Sequence, residues 1–177
     1  MRVSVIDHVA TLHEFTSAQL GLVTSRQARS VGWTRQQLHR AQQSNRLERV
    51  HQGVWRLPGT PTPWEHVVLA AVLGAGPGAG ASHRSALAVY GAPPTDRTRP
   101  RRQHVSVPGD RHPRINGVTV HRVRLPAAHL TTVGGIPVTT YERNSWTTRP
   151  RSDSASSHAH SITVSSFARC RSRRSGR

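Results

Sequence analysis

Ile6, Val9, Ala10 and His13, spaced by three and four, form a stripe on one helical face and predict a first helix. Further on, Thr24-Ser25-Arg26-Gln27 places a hydroxyl at a candidate N-cap and an amide three residues later. Each side chain can then satisfy the other's free backbone N–H. Thr34-Arg35-Gln36-Gln37 repeats the arrangement ten residues later, and Gly32 between the two boxes can take the left-handed conformation that ends a helix. This spacing predicts a short helix, a tight turn and a second helix running from Arg35 to about Ser44, with Asn45 as its stop. Advancing about 100° per residue turns Leu38 and Ala41 inward and Gln36, His39, Arg40 and Gln43 outward, with Arg35 flanking. Residues 46–57 then hold two short β-prone runs around Gln52-Gly53, which predicts a hairpin directly after the second helix, the position of a wing.

Three prolines within residues 58–63 interrupt any regular element and mark a boundary. Residues 64–73 are mostly apolar and Ala-rich, which predicts a buried helix. The glycines of residues 74–80 break it, and Ser82 is placed to cap another helix that reaches Tyr90 and ends at Gly91. Beyond Thr95 the signals are strands at residues 104–107, 117–123, 130–133 and 136–139. Pro94, Pro100, Pro108 and Pro113 keep them short. The expected class is α+β: a winged helix-turn-helix over residues 1–58, then a small helical and antiparallel β region over 59–141. Residues 142–177, with ten serines and eight arginines in 36 positions, follow neither period and are expected to be a disordered tail. Such a tail reads either as the product of a shifted frame or degraded gene end, or as a basic arm that folds onto DNA.

Charge sharpens this picture. All 25 cationic residues are arginine, against eight acids, for a net charge of +17. The three segments 1–58, 59–94 and 95–177 carry +5, 0 and +12. A polyanion is the expected partner, nucleic acid being the commonest. The single cysteine, Cys170, excludes an internal disulfide and a thiolate-rich zinc site. The apolar run 67–73 is too short to span a bilayer, and the N-terminus lacks a signal peptide's apolar core, so a cytosolic protein with no membrane contact is expected.

The candidate chemistry is recognition. Gln and Arg form bidentate hydrogen bonds with adenine and guanine edges in the major groove, so the outward face Gln36, His39, Arg40 and Gln43 is suited to reading bases. Arg26, Arg35, Arg46, Arg49 and His51 complete the expected DNA-binding set through phosphate or minor-groove contact, with Gln52 at the wing tip. Gly76, Gly78 and Ala81 fit a dinucleotide-binding pattern, but Pro77 lies inside it and no succession of strand–helix units follows. No cofactor is expected. No pair of acids and no nucleophile beside a base stands out; the twelve histidines look scattered along the chain, and His83, beside Arg84, reads as structural. No catalytic or metal site is therefore expected.

Several stretches carry a resemblance. Gly21-Leu22-Val23-Thr24-Ser25-Arg26-Gln27-Ala28, then Gly32-Trp33-Thr34-Arg35-Gln36-Gln37-Leu38, and the run from Arg46 to Trp55 resemble the N-terminal winged-helix domain of AbiEi-type antitoxins. Ser82-His83-Arg84-Ser85-Ala86, Gly117-Val118-Thr119-Val120-His121-Arg122 and Gly135-Ile136-Pro137-Val138-Thr139-Thr140 resemble the middle region of actinobacterial members. The resemblance implies the antitoxin half of a type IV toxin-antitoxin pair: a non-enzymatic repressor whose winged helix binds operator DNA, with a nucleotidyltransferase-like toxin encoded nearby. Longer chains of this appearance continue into a nuclease-like domain after a Thr-Leu-x-Asp segment. Asn144-Ser145-Trp146 departs from that pattern, which reads as a C-terminally truncated or frameshifted member. The alternative is an interaction module or an inactive remnant of a longer antitoxin or nuclease-like protein.

Overall fold

The computed structural model describes residues 5–91, 100–109 and 111–147. Helix α1 (Val5–Ala18) leads into strand β1 (Leu22–Thr24), the capped helices α2 (Ser25–Ser30) and α3 (Arg35–Gln43), and a hairpin of β2 (Glu48–His51) and β3 (Val54–Arg56). Both capping boxes are present: Gln27 and Gln37 donate their backbone N–H to Thr24 and Thr34 Oγ1, each at 3.2 Å. Their amide oxygens accept from the Thr24 and Thr34 backbones at 2.9 and 2.7 Å. Gly32 turns the chain between the helices with φ +91°, and Asn45 follows the end of α3 at φ +52°. Toward the end of α1, Leu12, Phe15 and Thr16 turn inward while His13 is exposed; the side chains of Ile6, Val9 and Ala10 lie outside those described.

The wing gains a third strand that residue spacing did not predict. Strand β1 pairs antiparallel with β3, giving the order β1-β3-β2. Val23 and Trp55 face a core with Leu12, Ala28, Trp33, Leu38, Ala41 and Leu47. Their neighbours Leu22 and Val54 face the opposite way, into a second core. Because successive strand side chains point to opposite faces, this small sheet is apolar on both sides, which accounts for the hairpin's imperfect alternation.

The second core is built on α4 (Trp64–Ala75), whose Val68, Leu69, Ala71 and Val72 are buried. It packs against a five-stranded sheet of order β6-β5-β4-β8-β7. The strands are β4 (Gly80–Ala81), β5 (Gln103–Pro108), β6 (Val118–Val123), β7 (Leu130–Val133) and β8 (Ile136–Thr139), with α5 (His83–Val89) between β4 and β5. The α+β class holds, but the expectation of antiparallel pairing needs correction: β5 runs parallel to β6, and β4 parallel to β8. A parallel neighbour needs a crossover rather than a hairpin, and the irregular stretch after Pro108 supplies one. Ser82 occupies the N-cap of α5 without capping it; its hydroxyl lies 3.1 Å from Nδ1 of His83 instead.

Ordered structure also continues past the expected start of the tail. Helix α6 (Tyr141–Thr147) docks on α5 through Asn144, which is fully buried and donates from Nδ2 to the His83 carbonyl at 3.1 Å. The rest of the expected disordered tail, residues 148–177, lies outside the described residues, as does Pro94.

Candidate nucleic-acid interface

Helix α3 is held from both ends and from below. Its box fixes the first turn, Leu38 and Ala41 anchor it in the core, and Ser44 closes it, so its remaining face is polar and exposed. The wing is fixed relative to α2 by two bonds around Ser25: its N–H donates to the Gly53 carbonyl at 2.8 Å, and its hydroxyl accepts from Trp55 Nε1 at 2.8 Å. Between them α2, α3 and the wing enclose an open cleft of about 800 Å³.

Arg29, Arg35, Gln36, His39, Gln42, Arg49 and Gln52 line this cleft, with no carboxylate among its lining residues. The hairpin's acid, Glu48, is engaged across the strands by Arg56. Three guanidiniums therefore face an open groove beside amide and imidazole groups, a donor-rich surface suited to phosphate oxygens and base edges.

The expected residues distribute unevenly over this surface. Arg35, Gln36, His39 and Arg49 meet in the cleft. Arg40, Gln43 and Arg46 are exposed on or just after α3 but do not line it, while Arg26 lines a neighbouring cleft of about 630 Å³ bounded by Leu73 and Gly76 of the α4 end. His51 lies elsewhere: its Cβ is close to Gly74 of α4, and burial holds its pKa below the usual histidine value, so it packs against the second unit. Two lining residues were not singled out from spacing, Arg29 and Gln42. Arg29 was findable, since it stands about 100° around α2 from the inward Ala28; Gln42 was not, since four residues after Leu38 it returns to within about 40° of that buried side chain.

A second group of polar side chains gathers away from the cleft. His83 at the start of α5, His104 on β5 and His121 on β6 each offer one ring nitrogen within 4.8 Å of the others. Nδ1 of His104 and Nε2 of His121 face each other at 3.0 Å, and the His83 ring stacks on His121 with centroids 3.8 Å apart. Desolvation lowers all three pKa values, and His83, also repelled by the other two rings, is brought down to about 4. Each shift favours the uncharged imidazole. Separations of 21 and 17 residues hid this cluster, because only the parallel register of β5 and β6 brings the rings together.

Among the described residues no helix is long and apolar enough to cross a membrane. A comparison with curated proteins finds no match. Residues 11–58, the span that builds the two-helix unit and its wing, match the family model described as transcriptional regulator, AbiEi antitoxin. The capped helix pair, the wing and the arginine-lined cleft thus all lie in a span, about a quarter of the chain, that is similar to the AbiEi antitoxin transcriptional regulators.

Proposed function

We propose that this protein is a sequence-preferring duplex-DNA-binding repressor of its own operon, acting by binding and without catalysis. In this reading residues 1–58 read DNA, residues 59–141 support them, and residues 142–177 form a basic extension that begins with α6. Helix α3 enters the major groove with Gln36, His39, Arg40 and Gln43 toward the bases. Arg26, Arg29, Arg35, Arg46 and Arg49 contact phosphates along the two flanking strands. The observation that carries the reading is the exposed polar stripe of α3 beside a wing arginine in a cleft lined by three guanidiniums. By resemblance alone, its partner besides operator DNA is a nucleotidyltransferase-like toxin encoded nearby.

The test is binding of the full chain to duplexes from its own upstream region over a range of salt. Affinity should fall steeply with salt, since each phosphate contact releases counterions. Arg40→Ala should narrow the gap between operator and unrelated duplex by ~1–3 kcal/mol, and Arg49→Ala should weaken both about equally. Equal affinity of wild type and a quadruple alanine variant of Gln36, His39, Arg40 and Gln43 for every duplex would overturn the proposal.

A further inference from the structure

We propose that His83, His104 and His121 bind one divalent transition-metal ion of the zinc class, which clips edge strand β6 and strand β5 to the start of α5. None of the three lines the α3 cleft, so the site is separate from the DNA-reading surface.

The three ring nitrogens already converge within 4.8 Å. Two ligands of a tetrahedral zinc, with bonds of ~2.0–2.1 Å, stand roughly 3.3 Å apart. His104 Nδ1 and His121 Nε2, at 3.0 Å, are close to that separation. A donor set made only of imidazoles selects zinc, copper or nickel over magnesium or calcium, which prefer oxygen. Three protein ligands also leave a fourth position for water.

The backbone is committed to this convergence. Ser106 pairs with His121 and His104 with Thr119, so His104 and His121 are diagonal neighbours projecting from the same face of the sheet. His83 adopts φ +51°, a conformation costly for a residue with a Cβ. It is held there by the buried Asn144, which bonds its carbonyl, while the Ser82 hydroxyl meets its Nδ1. Such outer partners orient metal-binding imidazoles. An ion here ties together positions 83, 104 and 121, joined by long connections, and thereby secures β6, which among the described residues pairs only with β5.

The experiment uses the untagged full chain, stripped with a chelator, dialysed and titrated with zinc and separately with cobalt. One equivalent should bind, the cobalt form should show the visible absorption of a nitrogen-ligated four-coordinate ion, and zinc should raise the melting temperature. His104→Gln or His121→Gln should each weaken binding by more than about 100-fold, beyond the effect of losing an outer partner. A variant with His158→Gln and His160→Gln should keep the equivalent. Should the glutamine variants fail to fold, X-ray absorption of the zinc-loaded wild type decides, with scattering from three imidazoles expected. Absence of stoichiometric binding by wild type, an equivalent that survives replacement of all three histidines, or fewer than three imidazoles at the ion overturns the proposal.

Discussion

Gly21 and Gly32 both hold positive φ, +81° and +91°, yet their surroundings differ. A Cβ at Gly32 would meet nothing within 4 Å, so Gly32→Ala bears only the cost of left-handed backbone, ~1–2 kcal/mol. At Gly21 an added Cβ would lie 2.3 Å from Thr60 Cγ2 and 3.0 Å from Thr60 Cβ. Gly21 is also tied on both sides: its N–H donates to the Thr16 carbonyl at 2.6 Å, and its carbonyl accepts from Leu57 N–H at 3.1 Å. The backbone therefore cannot swing away, and overpacking adds ~1–3 kcal/mol to the conformational cost. Urea unfolding of the two alanine variants should show Gly21→Ala as clearly the more destabilised. Equal midpoints would mean that the Thr60 contact relaxes freely. Sequence marked Gly32 because it stands between two caps, a local signal. The constraint on Gly21 comes from a residue 39 positions away and leaves no local trace.

The same division by sequence separation governs whole elements. Helices α2 and α3 were legible because a capping box spans four residues and its chemistry is written in them: hydroxyl first, amide fourth. Thr34→Ala removes the oxygen that accepts the Gln37 backbone N–H at 3.2 Å and should cost about 1 kcal/mol, within the ~0.5–2 kcal/mol usual for a lost N-cap. Thr34→Ser keeps the acceptor and should recover most of that loss; an alanine variant as stable as wild type would mean that water caps α3 equally well. The outward face of α3 was legible for the same reason, since burial of Leu38 and Ala41 follows from helical period alone. The pairing of β5 with β6 was not, because strand period says which residues share a face but nothing about the neighbour or its direction. Helix α6 was missed for a related reason: with Asn144 as its buried anchor, it is held by a polar contact to the His83 carbonyl that no apolar period announces. The histidine cluster depends on both unread features, and so remained invisible while each of its members was in plain view.

At the scale of the molecule, the prolines of residues 58–63 mark a boundary in the chain without marking one in the packing. Leu22 and Val54 belong to the core around α4, not to the one beneath α3. His66, buried on α4, reaches back with Nδ1 to the Leu20 carbonyl at 2.9 Å; a carbonyl can only accept, so Nδ1 carries the proton. The small sheet thus serves two cores at once, one face holding the helices that carry the exposed polar stripe and the other resting on α4. A chain cut after residue 58 would place Leu22 and Val54 in water and leave the Leu20 carbonyl without His66. At roughly 1.5–3 kcal/mol for each buried aliphatic side chain, losing two removes a large part of what a unit this small can muster. Residues 1–58 alone should therefore unfold without a cooperative transition and bind DNA weakly, whereas residues 1–147 should melt as one unit close to the full chain. Leu22→Ala tests the coupling within the intact protein: it should cost ~2–5 kcal/mol, as a buried leucine does, although Leu22 lies outside the core that supports α3. Hydrogen exchange should then show the amides of both α3 and α4 losing protection together. Loss confined to α4, or a cooperative melt of residues 1–58 near that of the full chain, would show that the helix pair and wing stand independently of α4.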